Sequence, residues 1–345
     1  MNIDKQSIRR RALELIAADG HGVGPKLAQE FGVSRQVANG YLQAMTGDGL
    51  IEAEGSTRAR VYRLVMLDEV QQTLPRMDLQ EDLVWRDVFL PKMKDLPENV
   101  RDIWHYALTE MINNAIDHSG AEEISVAMQR NGLFTEASVS DNGIGIFLKI
   151  QQALNLFDTR EAILELAKGK LTTAPDRHTG EGIFFTSRVL DAFDIQSGAL
   201  HFHHQENHFD VLNENEAEAP GTLVRMRIDN DSARTLAEVF DSFTDPEEYT
   251  FDRTVVPLRM AQHEGEKLVS RSQAKRIAHR FERFKRVELD FTGVETIGQA
   301  FADEMFRVFV AAHPQIRLTP TNTSPTVANM IRRVVGAGNN TQQGN

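Results

Sequence analysis

The chain of 345 residues contains no cysteine, which excludes disulfides, thiolate zinc sites and thiol nucleophiles and suits a reducing compartment. Only two tryptophans occur, and Trp85 and Trp104 are expected to serve packing. No apolar run approaches the roughly 20 residues of a membrane helix. Met1-Asn-Ile-Asp-Lys5 lacks the apolar stretch of a secretory signal, so a soluble, cytoplasmic protein is expected. Nowhere does the pattern Gly-x4-Gly-Lys-Ser/Thr occur, and a phosphate loop of that kind is excluded.

Length and charge divide the chain. Three compact units of common domain size fit it. Net charge is −12, yet residues 1–64 carry nine Lys and Arg against seven Asp and Glu, a net of +2 that leaves −14 for the remainder. The amino-terminal unit is therefore the one suited to a polyanion.

What is present is concentrated in three segments: Glu110-Met-Ile-Asn-Asn114-Ala-Ile-Asp117-His118, Asp141-Asn-Gly143-Ile-Gly145-Ile, and Thr179-Gly180-Glu-Gly182. On a helix, Glu110, Asn114 and Asp117 stand at i, i+4 and i+7 and form one polar stripe, while Leu108, Ile112, Ala115 and Ile116 pack on other faces. Gly120 stops that helix. Two runs, Ile124–Arg130 and Leu133–Ser140, flank Asn131-Gly132, a tight-hairpin signal whose second strand delivers Asp141 beside a glycine turn. An ionised carboxylate only accepts hydrogen bonds, so Asp141 suits an exocyclic amine such as N6 of adenine. Gly143 and Gly145 let the backbone approach a flat base, and Gly180 and Gly182, opening a further helix, present N–H groups to phosphate oxygens. Asn114 offers an amide oxygen to Mg²⁺, which takes few protein ligands. The residues between Phe147 and Thr179 would form a lid. Singly, these pieces read as a surface turn, a loop and a solvated helix face, but that reading does not account for their order.

The order and spacing resemble the GHKL superfamily of ATP-binding domains, which includes DNA gyrase B, MutL, the ninety-kilodalton heat-shock chaperones, sensor histidine kinases and anti-sigma-factor kinases. The resemblance covers residues 95 to 230 and implies an α/β sandwich of the Bergerat (HATPase_c) type. Glu110 and Asn114 match the N box, Asp141, Gly143 and Gly145 the G1 box, Gly180 and Gly182 the G2 box, and Gly221-Thr222 the late Gly-Thr before a core strand. Alternation of Val224, Met226 and Ile228 supports that strand. The ATP-binding set implied is Asn114, Asp117, His118, Asp141, Gly143, Gly145, Thr179, Gly180, Gly182 and Thr222, with Mg²⁺ on Asn114 and Glu110 as the catalytic carboxylate. His118 either touches phosphate or lid, or caps its helix.

Ahead of this, Ile8–Ala18, Gly24–Phe31 and Ser34–Thr46 read as three helices, with Ser34 as an N-cap. Leu50 to Glu54, a basic tip at Arg58 and Arg60, and Val61 to Leu64 follow as strand, turn and strand. The unit resembles a winged helix-turn-helix, in which Ser34, Arg35, Gln36 and Asn39 would face bases of double-stranded DNA and Arg58 and Arg60 its phosphates. Winged helices also dock proteins, and that reading stays open.

Past Asp229 a helix is expected to about Phe243, then a third unit. Its capping box at Ser270–Gln273, amphipathic helix through Phe284, strand Val287–Asp290, helix from Ile297 and strand Ile316–Leu318 resemble STAS-like domains. In anti-sigma antagonists a phosphorylated serine starts the helix after the Asp strand; here Ile297-Gly298-Gln299 stands there. Asp290, Asp303 and Glu304 are expected as solvated groups. His201, His203, His204 and His208 form the densest histidine cluster, with exposed strand histidines expected and a metal the alternative.

The expected α/β organisation is thus 1–68 winged helix-turn-helix, 69–94 helical linker, 95–232 ATP-binding domain, 233–250 linker helix, 251–338 STAS-like domain and 339–345 disordered tail. It points to an ATP-responsive transcription regulator acting as a homodimer on DNA, with slow Mg²⁺-dependent hydrolysis through Glu110. The alternatives are an anti-sigma-type serine/threonine kinase acting on a STAS partner or on its own STAS-like domain, and a scaffold that uses ATP only structurally. Histidine autophosphorylation is not expected, because His21 and His105 lack the two-helix context.

Overall fold

The structure, a computed structural model, describes residues 5–56, 60–171, 180–205, 211–245, 250–262 and 266–341, with the side chains of 215–218 and 337–341 outside the description. Helices α1 (Lys5–Ala18), α2 (Val23–Phe31) and α3 (Arg35–Gly47) pack with a two-stranded antiparallel hairpin, β1 (Ile51–Glu54) and β2 (Val61–Leu64). The helices form where the sequence places them because the signals are local. Gly32 closes α2 in the left-handed region, and the Ser34 hydroxyl accepts the Val37 N–H at the start of α3. Their apolar faces meet in a small core of Ala12, Leu13, Ile16, Leu27, Ala38, Leu42, Met45, Ile51 and Tyr62.

Five antiparallel strands form the central sheet in the order β3-β4-β5-β7-β6: β3 (Asp68–Pro75), β4 (Glu123–Arg130), β5 (Phe134–Asp141), β6 (Ala192–Gln205) and β7 (Val211–Asp229). Residues 69–94 are not the helical linker expected. Residues 68–75 pair along their whole length with β4 as an edge strand, and only residues 81–93 are helical, as α4. Weak alternation through Val70 and Leu74 becomes a strand because β4 offers an open edge.

One face of the sheet is covered by α4, α5 (Glu98–His118), α6 (Ile146–Leu154), α7 (Thr159–Lys168) and α8 (Gly182–Val189). Val100, Ile103, Trp104, Ala107, Leu108, Met111, Ile112 and Ala115 recur at helical spacing down α5 and are buried. Alternate strand residues Ile124, Val126, Met128, Ala137, Val139, Val224, Met226 and Ile228 meet them. Helix α9 (Leu236–Phe243), capped reciprocally by Thr235 and Glu238, sets Phe240 and Phe243 against Phe185 and Phe184.

In the carboxy-terminal unit, three parallel strands in the order β10-β9-β8 comprise β8 (Arg253–Pro257), β9 (Arg286–Asp290) and β10 (Arg317–Thr321). Helices α10 (Arg271–Ala278), α11 (residues 299–312) and α12 (Pro325–Thr341) accompany them. The expected tail begins too early, since α12 continues to Thr341; residues 342–345 lie outside the described residues. The apolar core of the central sheet continues without a break into this unit through Leu164, Ala167, Phe184, Phe251, Val256 and Leu258.

At its far end the central sheet touches the amino-terminal unit. The turn between β4 and β5 places Leu133 in the small core, and Arg10 pairs with Asp229. That turn is held by the Asn131 side chain, whose oxygen accepts from Leu133 N at 2.8 Å and Phe134 N at 3.0 Å.

Candidate functional site

Between α5 and the ends of β5 and β7 lies a cavity of about 260 Å³. Glu110, Asn114, His118, Asp141, Gly145, Gly180, Gly182 and Thr222 all line it. Eight side chains and glycines chosen from distant motifs therefore meet around one space.

Helical geometry explains which part of the α5 stripe faces inward. Steps of four residues from Glu110 through Asn114 to His118 drift slowly around the helix and follow the cavity, with Met111 and Ala115 beside them. Asp117, expected in the set, lies on the outer side of that drift; it is exposed and does not line the cavity.

Asp141 ends β5 opposite Thr222 of β7. Its carboxylate accepts the Gly143 N–H at 2.9 Å. Burial raises its pKa above the ordinary carboxylate range, opposed by the backbone N–H groups of Gly143 and Thr222. Gly143 does not line the cavity; it closes the turn against α5, where Ile144 N donates to Ser119 O at 3.1 Å. The Thr222 hydroxyl is occupied locally, accepting from Ile146 N at 3.0 Å.

At the other end, Glu110 approaches the start of α8 so closely that a Cβ on Gly182 would sit 1.9 Å from its Oε2. A side chain at position 182 would have to push the Glu110 carboxylate aside. Leu171 N donates to Gly180 O at 3.0 Å, which closes the neck of the segment 172–179. Thr179 lies in that segment, outside the described residues. The Asn114 Nδ2 is buried and, among the described residues, has no hydrogen-bond partner, a donor left for something that enters the cavity.

Sequence reasoning missed Lys149, Leu166 and Leu171, which also line the cavity. It missed as well a buried polar cluster behind the cavity wall. Lys168 Nζ donates to Glu165 Oε1 at 2.6 Å and to His279 O at 2.8 Å, and Arg280 Nη1 donates to Glu165 Oε2 at 2.8 Å. Arg280 also caps the end of α7 through Gly169 O at 3.1 Å. Burial pushes Lys168 down to about 8, against the pull of Glu165. Glu165, although buried, is held below its usual value by Lys168 and Arg280.

In the amino-terminal unit Arg35, Gln36 and Asn39 are exposed on α3 and Arg60 on the hairpin, while Arg58 lies outside the described residues. Asn39 is partly engaged, its Oδ1 resting against Gly24 of α2. Ser34 serves as the cap already described. Most cations of the unit are paired: Arg9 with Asp48, Arg11 with Glu30, Lys26 with Asp19, Arg63 with Glu54. Among the described residues, no ion pair engages Arg35 or Arg60.

Residues 273–328 match a family model described as a STAS-like domain of unknown function (DUF4325). The carboxy-terminal unit is STAS-like. A search of curated proteins finds no match to the chain. In this STAS-like domain, Asp290 holds a turn, accepting from Thr292 Oγ1 at 2.6 Å and Asn322 Nδ2 at 2.9 Å, and Asp303 pairs with Arg307. A Cβ on Gly298 would lie 2.7 Å from the Val269 Cα, so this helix start has no room for a side chain. His201 Nε2 and His203 Nδ1 both reach Asp194, His204 meets Arg188, and no group of three or more potential ligands able to hold a metal occurs among the described residues. His208 lies outside them. No helix among the described residues is long and apolar enough to cross a membrane.

Proposed function

We propose that the chain is an ATP-binding regulator of transcription, in which a GHKL-type domain governs a winged helix-turn-helix that binds double-stranded DNA as a homodimer. The observation that carries this reading is the convergence of Glu110, Asn114, Asp141, Gly145, Gly180, Gly182 and Thr222 on one cavity. Asp141 is the acceptor for the adenine amine. Gly180 and Gly182 offer backbone N–H groups to phosphates at the start of α8.

Asn114, whose buried amide nitrogen lacks a partner among the described residues, fits a polar ligand, and its amide oxygen would hold Mg²⁺. The ion supplies charge neutralisation along the phosphates. Glu110, which lines the same cavity, would accept a proton from an attacking water as the general base of slow hydrolysis.

Arg35 and Arg60, exposed and in no ion pair among the described residues, support the DNA reading, because such a guanidinium is available to bases or phosphates. Strands β5 and β7 connect the two functions. Asp141 and Thr222 are paired at the cavity, Phe134 and Asp229 at the amino-terminal unit, about 24 Å apart along the strand. Coupling requires that ATP prefer one arrangement of this frame.

Phosphotransfer onto the chain's own STAS-like domain is less well supported, because the region where the acceptor serine would stand reads Ile297-Gly298-Gln299-Ala300 and Gly298 has no room for a side chain. DNA binding to fragments of the protein's own genomic neighbourhood, with and without Mg-ATP, tests the reading with Asp141→Asn and Arg35→Ala as controls. ATP-dependent binding lost in both variants is expected. Selective binding in no nucleotide state, together with phosphate incorporation into a separate STAS protein, would replace the reading by the kinase alternative.

A further inference from the structure

The cavity wall has one feature that the motifs do not explain. Among the described residues, its lining includes two carboxylates, Glu110 and Asp141, and a single lysine or arginine, Lys149. Lys149 stands one turn into α6, and its ammonium donates to the backbone carbonyl of His118 at 2.5 Å. An ammonium has three N–H donors, so two remain to face the cavity. No carboxylate lies within ion-pair distance of it among the described residues. Burial pushes its pKa below the ordinary lysine value, with Asp117 opposing at longer range.

A partly buried ammonium with no carboxylate beside it is stabilised when an anion arrives next to it. A nucleoside triphosphate carries several negative charges, of which one divalent cation balances only part. Among the described residues, the cavity lining offers no other lysine or arginine for the rest. Resting on the nucleotide reading above, we infer that Lys149 is the phosphate-binding cation of the site, anchored by His118 O and directed at the polyphosphate rather than at the base. It makes the pocket discriminate by phosphate charge: Mg-ATP over Mg-ADP, and both over adenosine.

The assignment separates Lys149 from Asp141 in a way binding can read. Calorimetric titration of the full chain with Mg-ATP, Mg-ADP and adenosine, for wild type, Lys149→Met and Lys149→Arg, is the test. Lys149→Met should weaken Mg-ATP by tenfold or more, the loss of one charge-assisted hydrogen bond, and leave adenosine within about twofold. Lys149→Arg should recover most of the loss, since the charge is retained. Thermal unfolding of each variant checks that the fold is kept; if the Met variant does not fold, the comparison of wild type with Lys149→Arg across salt concentration takes its place, with a steep salt dependence for Mg-ATP and a flat one for adenosine. Equal affinity of wild type and Lys149→Met for Mg-ATP, or a parallel loss of adenosine, would overturn the assignment while leaving the nucleotide reading intact. A wild-type protein that binds none of the three would overturn both.

Discussion

Glu165→Gln removes the negative charge that two buried cations share. Lys168 and Glu165 are 0% and 3% exposed at 2.6 Å, and Arg280 is 4% exposed at 2.8 Å from the same carboxylate. Removing one partner of a buried pair costs about 3–5 kcal/mol; with two cations stranded, the upper end, about 5 kcal/mol, is expected. Lys168→Met acts differently. The triad holds one carboxylate against two cations, so removing the lysine leaves Glu165 paired with Arg280 and replaces a buried charge by an apolar side chain of similar length. A change within about 1 kcal/mol of zero is expected. Urea denaturation followed by circular dichroism reads both variants: with a slope of about 3 kcal/mol per molar, the Gln variant should shift the midpoint by roughly 1.7 M and the Met variant by less than about 0.4 M. Hydrogen exchange in α7 should rise in the first and not in the second. Because the folded value of Lys168, about 8, lies below the ordinary 10.5, the unfolded chain holds more protons between those values, and wild-type stability should rise as pH climbs through that window. Lys168→Met abolishes that rise. Equal losses for the two variants would refute the idea that Glu165 holds the cluster together.

Asp141 must be ionised to accept from an amine, and its pKa is raised by burial; adenosine affinity should therefore fall as pH drops through that raised value, earlier than for an exposed aspartate. Asp141→Asn should bind adenosine about tenfold more weakly without that pH step, and unchanged calorimetric affinity would remove Asp141 from base recognition. A Cβ on Gly143 would lie 2.0 Å from the Ser119 carbonyl oxygen, whereas one on Gly40 meets nothing within 4 Å. Gly143→Ala should cost about 2 kcal/mol or more, and Gly40→Ala, in an exposed helix interior, should stabilise by about 0.5–1 kcal/mol; thermal melts of the same sign would contradict the local geometry. On a specific DNA site, Arg60→Ala should lower the slope of log affinity against log salt by about 1 and Arg35→Ala should relax sequence preference. Unaltered binding in both would move the DNA contact elsewhere.

Local signals carried most of what was legible in the sequence. The caps at Ser34 and Ser270, the stop at Gly120 and the helix and strand spacing around Val61, Val224 and Ile277 depend on neighbours a few residues away. The motif residues converged because they lie on one helix, at two strand ends and at the start of α8. Four things were not legible, most of them for a non-local reason. Strand β3 owes its conformation to the β4 edge. Asp117 falls outside because the angular drift of α5, rather than simple i+7 spacing, follows the cavity. Glu165 and Lys168 look like a solvated helix end until Arg280, 115 positions from Glu165, is folded over them. Lys149 belongs to no motif and is recognised only by the space it faces.

The apolar core that passes unbroken from the central sheet into the STAS-like domain makes these two regions a poor set of interchangeable parts. A three-stranded sheet has little interior of its own, and Val256, Leu258 and Phe251 are buried partly against residues of α7 and α8. Cutting the chain between residues 244 and 251 would not release two finished modules; it would strip a wall from each. Grafting the STAS-like domain onto another protein would require carrying α7 with it, and any drift in the α10 surface would have to be answered across the seam.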